Sequence, residues 1–189
     1  MPPEALRQAI LSWLAPRSPQ PGQTVEFSWF VLRVIQEPGG RLNLQTLDFL
    51  EMASFTTDFS RVAAIHEAQN RALEEHSLEA CACTNRHAAM VSHAYYPGHP
   101  RAEMFRISEA EGSDSGWYLG VAGEPSAIDN PQRVHFASTY ELTIHDHRLA
   151  PYWLFPVGYV IAFSQDGRAA VQTRQLPVRK PDPPWWKFW

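Results

Sequence analysis

The run VEFSWFVLRVI at 25–35, followed by EPGGR and then RLNLQTLDF, constrains this chain more than any other segment. β-branched and aromatic side chains suit a pleated, half-buried surface, and a Pro-Gly-Gly turn between two such runs returns the chain antiparallel to itself. The segment therefore predicts a β-hairpin, and the flanking patterns suit helices that cover it. Residues 4–14 place Leu6, Ile10, Trp13 and Leu14 at helical spacing before Pro16, Pro19 and Pro21 stop the helix. A second helix is predicted from a cap at Thr57 or Asp58 to about His76, with Val62, Ile65, Gln69, Ala72, Leu73 and His76 along one stripe.

Beyond residue 79 the pattern shortens into strand-like pieces at 80–84, 90–95, 102–108, 117–121, 133–137, 159–164 and 169–173, with a QDG turn between the last two. Strands beside a few helices, without regular β-α alternation, imply an α+β fold with a mainly antiparallel sheet. The expected organisation is an N-terminal helix, hairpin and helix over 1–87, an α+β domain over 88–175, and a Pro/Trp-rich arm over 176–189. A length of 189 residues is enough for a self-sufficient core.

Charge narrows the partners. The formal net charge is -4, so no general basic field attracts a phosphate backbone, and nucleic acid is not the expected ligand. Acid is concentrated over 101–130, where Glu103, Glu109, Glu111, Asp114, Glu124 and Asp129 face only Arg101 and Arg106. Base is concentrated at the end, in Arg168, Arg174, Arg179, Lys180 and Lys187. No secretory leader is recognisable at the N-terminus and no apolar run reaches the ~18 residues of a membrane span, so the expected location is the cytoplasm, with no membrane partner. Cys81 and Cys83, placed on one face of a strand, are expected as reduced thiols.

Candidate chemistry is sparse. His145-Asp146-His147 supplies plausible zinc or iron ligands, with His135 or His99 as distant completions, but no second cluster stands at a familiar spacing. Surface histidines near a helix start are the plainer expectation. Cys81-Ala82-Cys83 with His87 lacks the partner pair of a zinc ribbon, and a Cys-His nucleophile would need an accessible thiol of low pKa. Ser115 has no G-x-S-x-G elbow, Gly120 and Gly123 have no Walker lysine, and the acidic run at 109–114 does not follow the order of an EF-hand loop. No catalytic residue, metal or cofactor is assigned.

Within 88–175 the motifs MVS (Met90 to Ser92), MFRISEAEGSDSGWYLGVAGE (Met104 to Glu124), DNP (Asp129 to Pro131) and Pro156-Val157-Gly158 with Phe163 occur in order. This pattern resembles a bacterial immunity-protein family of polymorphic toxin systems, first catalogued as a domain of unknown function. Two features depart from it: the turn after Gly123 is less acidic, and TYELTIHDHRLAPYWL stands where the family has a D-L-N-T-like stretch. The resemblance implies a non-enzymatic protein that binds and blocks a co-encoded toxin, often one delivered by a contact-dependent or type VI route.

On that reading Glu109, Glu111, Asp114, Glu124 and Asp129 are the partner-binding candidates, facing a basic toxin surface. Ser115, Gly116, Trp117, Pro156 and Gly158 are structural, with Ser and Gly forming a turn and Trp117 anchoring a strand. Trp185, Trp186, Phe188 and Trp189 form an aromatic arm expected to dock on its own domain or to join copies into a homo-oligomer. The rivals are a small metal-dependent hydrolase built on His145, Asp146 and His147, and a scaffold or regulatory protein with no toxin partner.

Overall fold

The computed structural model describes residues 1–124, 127–128 and 130–173. Asp129 and the C-terminal arm, with Trp185, Trp186, Phe188 and Trp189, lie outside the described residues. The chain is α+β, with two sheets and three α-helices among the described residues.

Helix α1 (Pro3–Leu14) opens with proline in its first turn, where a missing N–H costs nothing, and buries Leu6, Ile10 and Leu14. Trp13 lies on the solvent side of that stripe, its ring beneath the Arg17 guanidinium. The first sheet follows in the order β1 (Thr24–Phe27), β2 (Phe30–Gln36), β3 (Leu42–Leu47) and β4 (Phe55–Thr56), all antiparallel. The β2–β3 pairing matches the predicted hairpin, but 25–35 is not one strand. The chain reverses at Ser28, whose φ is +53°, so that Trp29 drops into the core and its Nε1 donates to Thr139 Oγ1 at 3.2 Å.

Helix α2 (Ser60–Glu75) begins just after Asp58, whose carboxylate accepts from the Ser60 backbone N–H and hydroxyl. It buries Val62, Ala63, Gln69, Ala72 and Leu73. Gln69 is tied across the core by its Nε2, which donates to the Ala150 carbonyl at 3.1 Å.

The second sheet has the order β10 (Ala169–Thr173), β9 (Tyr159–Phe163), β6 (Ala102–Arg106), β7 (Asp114–Val121), β5 (Ala88–Ser92) and β8 (Val134–Ser138). Every neighbouring pair is antiparallel except β5 with β7. Ala89, Val91, Met104, Trp117, Leu119, Ile161 and Phe163 line its inner face, in one apolar cluster with α1, α2 and the first sheet. A smaller cluster of Phe105, Tyr118, Val160 and Ala127 lies on its outer face.

Two further differences from the sequence reading have physical causes. Residues 80–84 form no strand: Cys81 N–H donates to the Leu154 carbonyl, and Asn85 N–H donates to the Trp29 carbonyl, so the backbone polar groups are met without a ladder. Helix α3 (Thr139–His145) appears where no helical stripe was read, started by Ser138, whose hydroxyl accepts from Glu141 N–H.

Candidate partner-binding site

The β6–β7 hairpin carries most of the candidate residues. Its tip is a tight turn in which Glu111 and Asp114 exchange backbone hydrogen bonds of 3.0 and 2.9 Å, with Gly112 at φ +60° between them. Glu109, Glu111 and Asp114 are exposed there. Below the tip each residue of the Asp114-Ser115-Gly116-Trp117 motif has a separate task. Asp114 Oδ1 accepts from Gly116 N–H at 2.8 Å, and Ser115 Oγ, fully buried, accepts from Trp117 N–H at 3.1 Å. Gly116 has φ +72° and lies so close to the bend that follows β6 that a Cβ would stand 2.0 Å from the Ser108 carbonyl oxygen. Trp117 is buried edge-on to Trp153, and its Nε1 donates to the Trp153 carbonyl at 3.0 Å.

Glu124 is also exposed, but at the opposite end of the sheet, in the turn after Val121. Seven residue steps of β7 separate Asp114 from Val121, which at ~3.3 Å per residue is about 23 Å. The acids that stand close in sequence are therefore split by the strand into a hairpin-tip group, Glu109, Glu111 and Asp114, and a distant Glu124. Pro156 is half-buried in the turn before β9, and Gly158, at φ +89°, donates its N–H to the Arg106 carbonyl at 2.9 Å.

Arg106, which in sequence counts against the acids, is not at the surface. It is fully buried, and among the described residues no carboxylate pairs with it. Its Nε donates to the Ser108 carbonyl (3.0 Å), Nη1 to the Trp153 carbonyl (3.0 Å), and Nη2 to the Ala82 carbonyl (2.8 Å) and the Cys81 sulfur (3.6 Å). One guanidinium thus joins the hairpin, the loop before β9 and the coil at 80–84. The signal was present in the alternation of AEMFR, where Arg106 shares the inward phase of Ala102 and Met104. Cys83, buried beside this group, has its thiol pushed up to about 12 by burial, with Arg106 opposing the shift.

The histidine triplet is pulled apart. His145 ends α3 and His147 begins a short 3₁₀ turn, both exposed, while Asp146 points inward. Asp146 accepts from Tyr95 hydroxyl (3.0 Å), Gly98 N–H (2.9 Å) and Arg148, whose Nε and Nη2 approach at 2.9 and 2.7 Å. Burial raises the Asp146 pKa, but the Arg148, Gly98 and Tyr95 donors outweigh it and hold the carboxyl below its ordinary value. His135 stacks on His93 rather than approaching the triplet, and His99 contributes only its carbonyl, to Arg148. Among the described residues no group of three or more His, Cys, Asp or Glu is placed to hold a metal ion. The Asp146–Arg148–Tyr95 cluster, absent from the sequence reading, ties the loop after β5 to the turn after α3.

A family model for the Imm33-like domain matches residues 68–173, more than half of the chain. The chain belongs to the Imm33-like family. This is an immunity-protein family, and immunity proteins in general are paired with a toxin. No curated protein and no solved structure matches significantly. The Imm33-like region begins earlier than the motif pattern at 88–175 indicates, because it takes in the second half of α2 and the coil that Arg106 holds. Ala72, Leu73 and Cys83 of those segments belong to the same apolar cluster as the inner face of the six-stranded sheet. Among the described residues no helix of this Imm33-like protein is long and apolar enough to cross a membrane.

Proposed function

We propose that this protein is a non-enzymatic cytoplasmic immunity protein that binds and neutralises a cognate toxin, with the tip of the β6–β7 hairpin meeting a basic surface of that toxin. The observation that carries the reading is membership of the Imm33-like family over 68–173. The hairpin supports the choice of surface: Glu109, Glu111 and Asp114 project from a turn whose base is locked by Gly116, Trp117 and Arg106. A rigid, exposed acidic tip steers a cationic partner without ordering a loop on binding.

The test uses the product of the gene adjacent to this one, the expected toxin, and compares the wild type with Glu109→Lys/Glu111→Lys/Asp114→Asn. Asparagine keeps the acceptor that Gly116 N–H needs. The expected result is an association rate at low salt reduced about tenfold and a flattened salt dependence, with a nearly unchanged dissociation rate. Unchanged association rate and salt dependence would remove the hairpin tip from the interface. Failure of the neighbouring product to bind the wild type at all would count against the immunity reading itself.

A further inference from the structure

Strand β8 (Val134–Ser138) closes one side of the six-stranded sheet, and among the described residues no strand pairs with its outer margin. Hydrogen bonds at both ends set the phase of its ladder with β5: Thr139 N–H donates to the His87 carbonyl (2.9 Å), and His93 N–H donates to the Arg133 carbonyl (2.9 Å). With Ala89 opposite Ala137 and Val91 opposite His135, these pairs direct the backbone groups of residues 135 and 137 toward β5. The N–H and C=O of Val134 and Phe136, and the N–H of Ser138, face the free margin.

Natural sheet edges are normally blunted by lysine, proline or a bulge. VHFAS has none of these, and it presents Phe136 at 61% exposure on the outer face, opposite Met90. We propose that the protein self-associates through this edge, two copies pairing antiparallel about Phe136 so that one sheet runs through both.

The strand is complementary to itself in that register. Phe136 meets Phe136 of the second copy, where the two residues can exchange both backbone hydrogen bonds. Ser138 N–H meets the Val134 carbonyl of the second copy on each side. Bulk faces small on both flanks, His135 against Ala137 and Val134 against Ser138. The two Phe136 rings lie side by side on the outer face and extend the apolar strip of Met90 and Val134 from one copy into the other. With a net charge of -4 per chain, like copies are best joined through a segment without acid, and β8 contains neither acid nor permanent base. A two-fold contact of this kind closes on itself and leaves no further β8 edge to recruit a third copy.

A five-residue edge is at the small end of specific interfaces, so the assembly is read across protein concentrations from about 1 to ~100 µM by sedimentation and light scattering. The wild type should rise toward twice the 21.5 kDa of one chain, while Phe136→Lys should remain monomeric and melt at the temperature of the dilute, monomeric wild type. Independently, Phe136→Cys should form a disulfide-linked dimer under mild oxidation, because residues paired across the two-fold in this register have Cα atoms about 5.5 Å apart. Gln165→Cys, in the exposed turn between β9 and β10, and the wild-type thiols serve as controls. A wild type monomeric throughout the range overturns the proposal, as does Phe136→Cys cross-linking no faster than the controls. A dimer that survives Phe136→Lys also overturns it, and loss of that dimer on removing residues 183–189 would assign the contact to the aromatic arm instead.

Discussion

Replacing Arg106 by methionine should be the most informative single change in the core. Methionine fills much of the same channel but donates nothing. The Trp153 carbonyl keeps the Trp117 indole N–H as a partner, whereas the Ser108 and Ala82 carbonyls lose the side chain that meets them in the wild type. Both carbonyls belong to exposed residues and their bonds to Arg106 are part-buried, so water takes up part of the lost bonding. At about 1–2 kcal/mol for each acceptor, the lower half of the range for an unmet one, two cost about 2–4 kcal/mol. Relief from burying a charge that no carboxylate among the described residues offsets reduces this to ~1–3 kcal/mol. In a urea titration with a slope of ~2 kcal/mol/M the midpoint should fall by about 0.5–1.5 M. Arg106→Lys should recover little, since one ammonium cannot reproduce a planar fork reaching three segments. If Arg106→Met unfolds within ~0.5 kcal/mol of the wild type, water satisfies those carbonyls and the guanidinium is not what holds the coil at 80–84.

Two other perturbations follow from the same geometry. Gly116→Ala should destabilise by about 3 kcal/mol or more, combining the left-handed backbone penalty with a Cβ placed 2.0 Å from the Ser108 oxygen, and near-wild-type thermal stability would show that the hairpin relaxes freely. Asp146→Asn should cost about 2–4 kcal/mol at pH 7. Because the folded-state pKa of Asp146 is lowered, its contribution is full above the unfolded value near 3.9 and is lost as pH falls through the folded value. The stability gap between wild type and Asp146→Asn should therefore narrow as pH falls below the unfolded value, and a gap independent of pH would show that the carboxylate charge is not the cause.

Local chemistry made the hairpin of β2 and β3, the buried stripe of α1 and most of α2 legible, because apolar periodicity and turn residues act over a few positions and need no knowledge of the rest of the chain. It also made the ordered motifs legible, and through them the immunity-protein family. What tertiary structure decided was where each polar group ends up. The break at Ser28 exists because Trp29 is buried against Thr139, 110 residues away. The coil at 80–84 replaces a strand because its polar groups are met by Leu154 and Arg106. Asp146 leaves its flanking histidines because Arg148, Tyr95 and Gly98 converge on it from two loops. The acids over 109–124 read as one patch in sequence, yet an eight-residue strand sends them to opposite ends of the sheet. Periodicity along a chain reports which way a side chain points; only the assembled fold determines what it meets there, because the cost of burying a charge or an unmet carbonyl depends on partners that are distant in sequence.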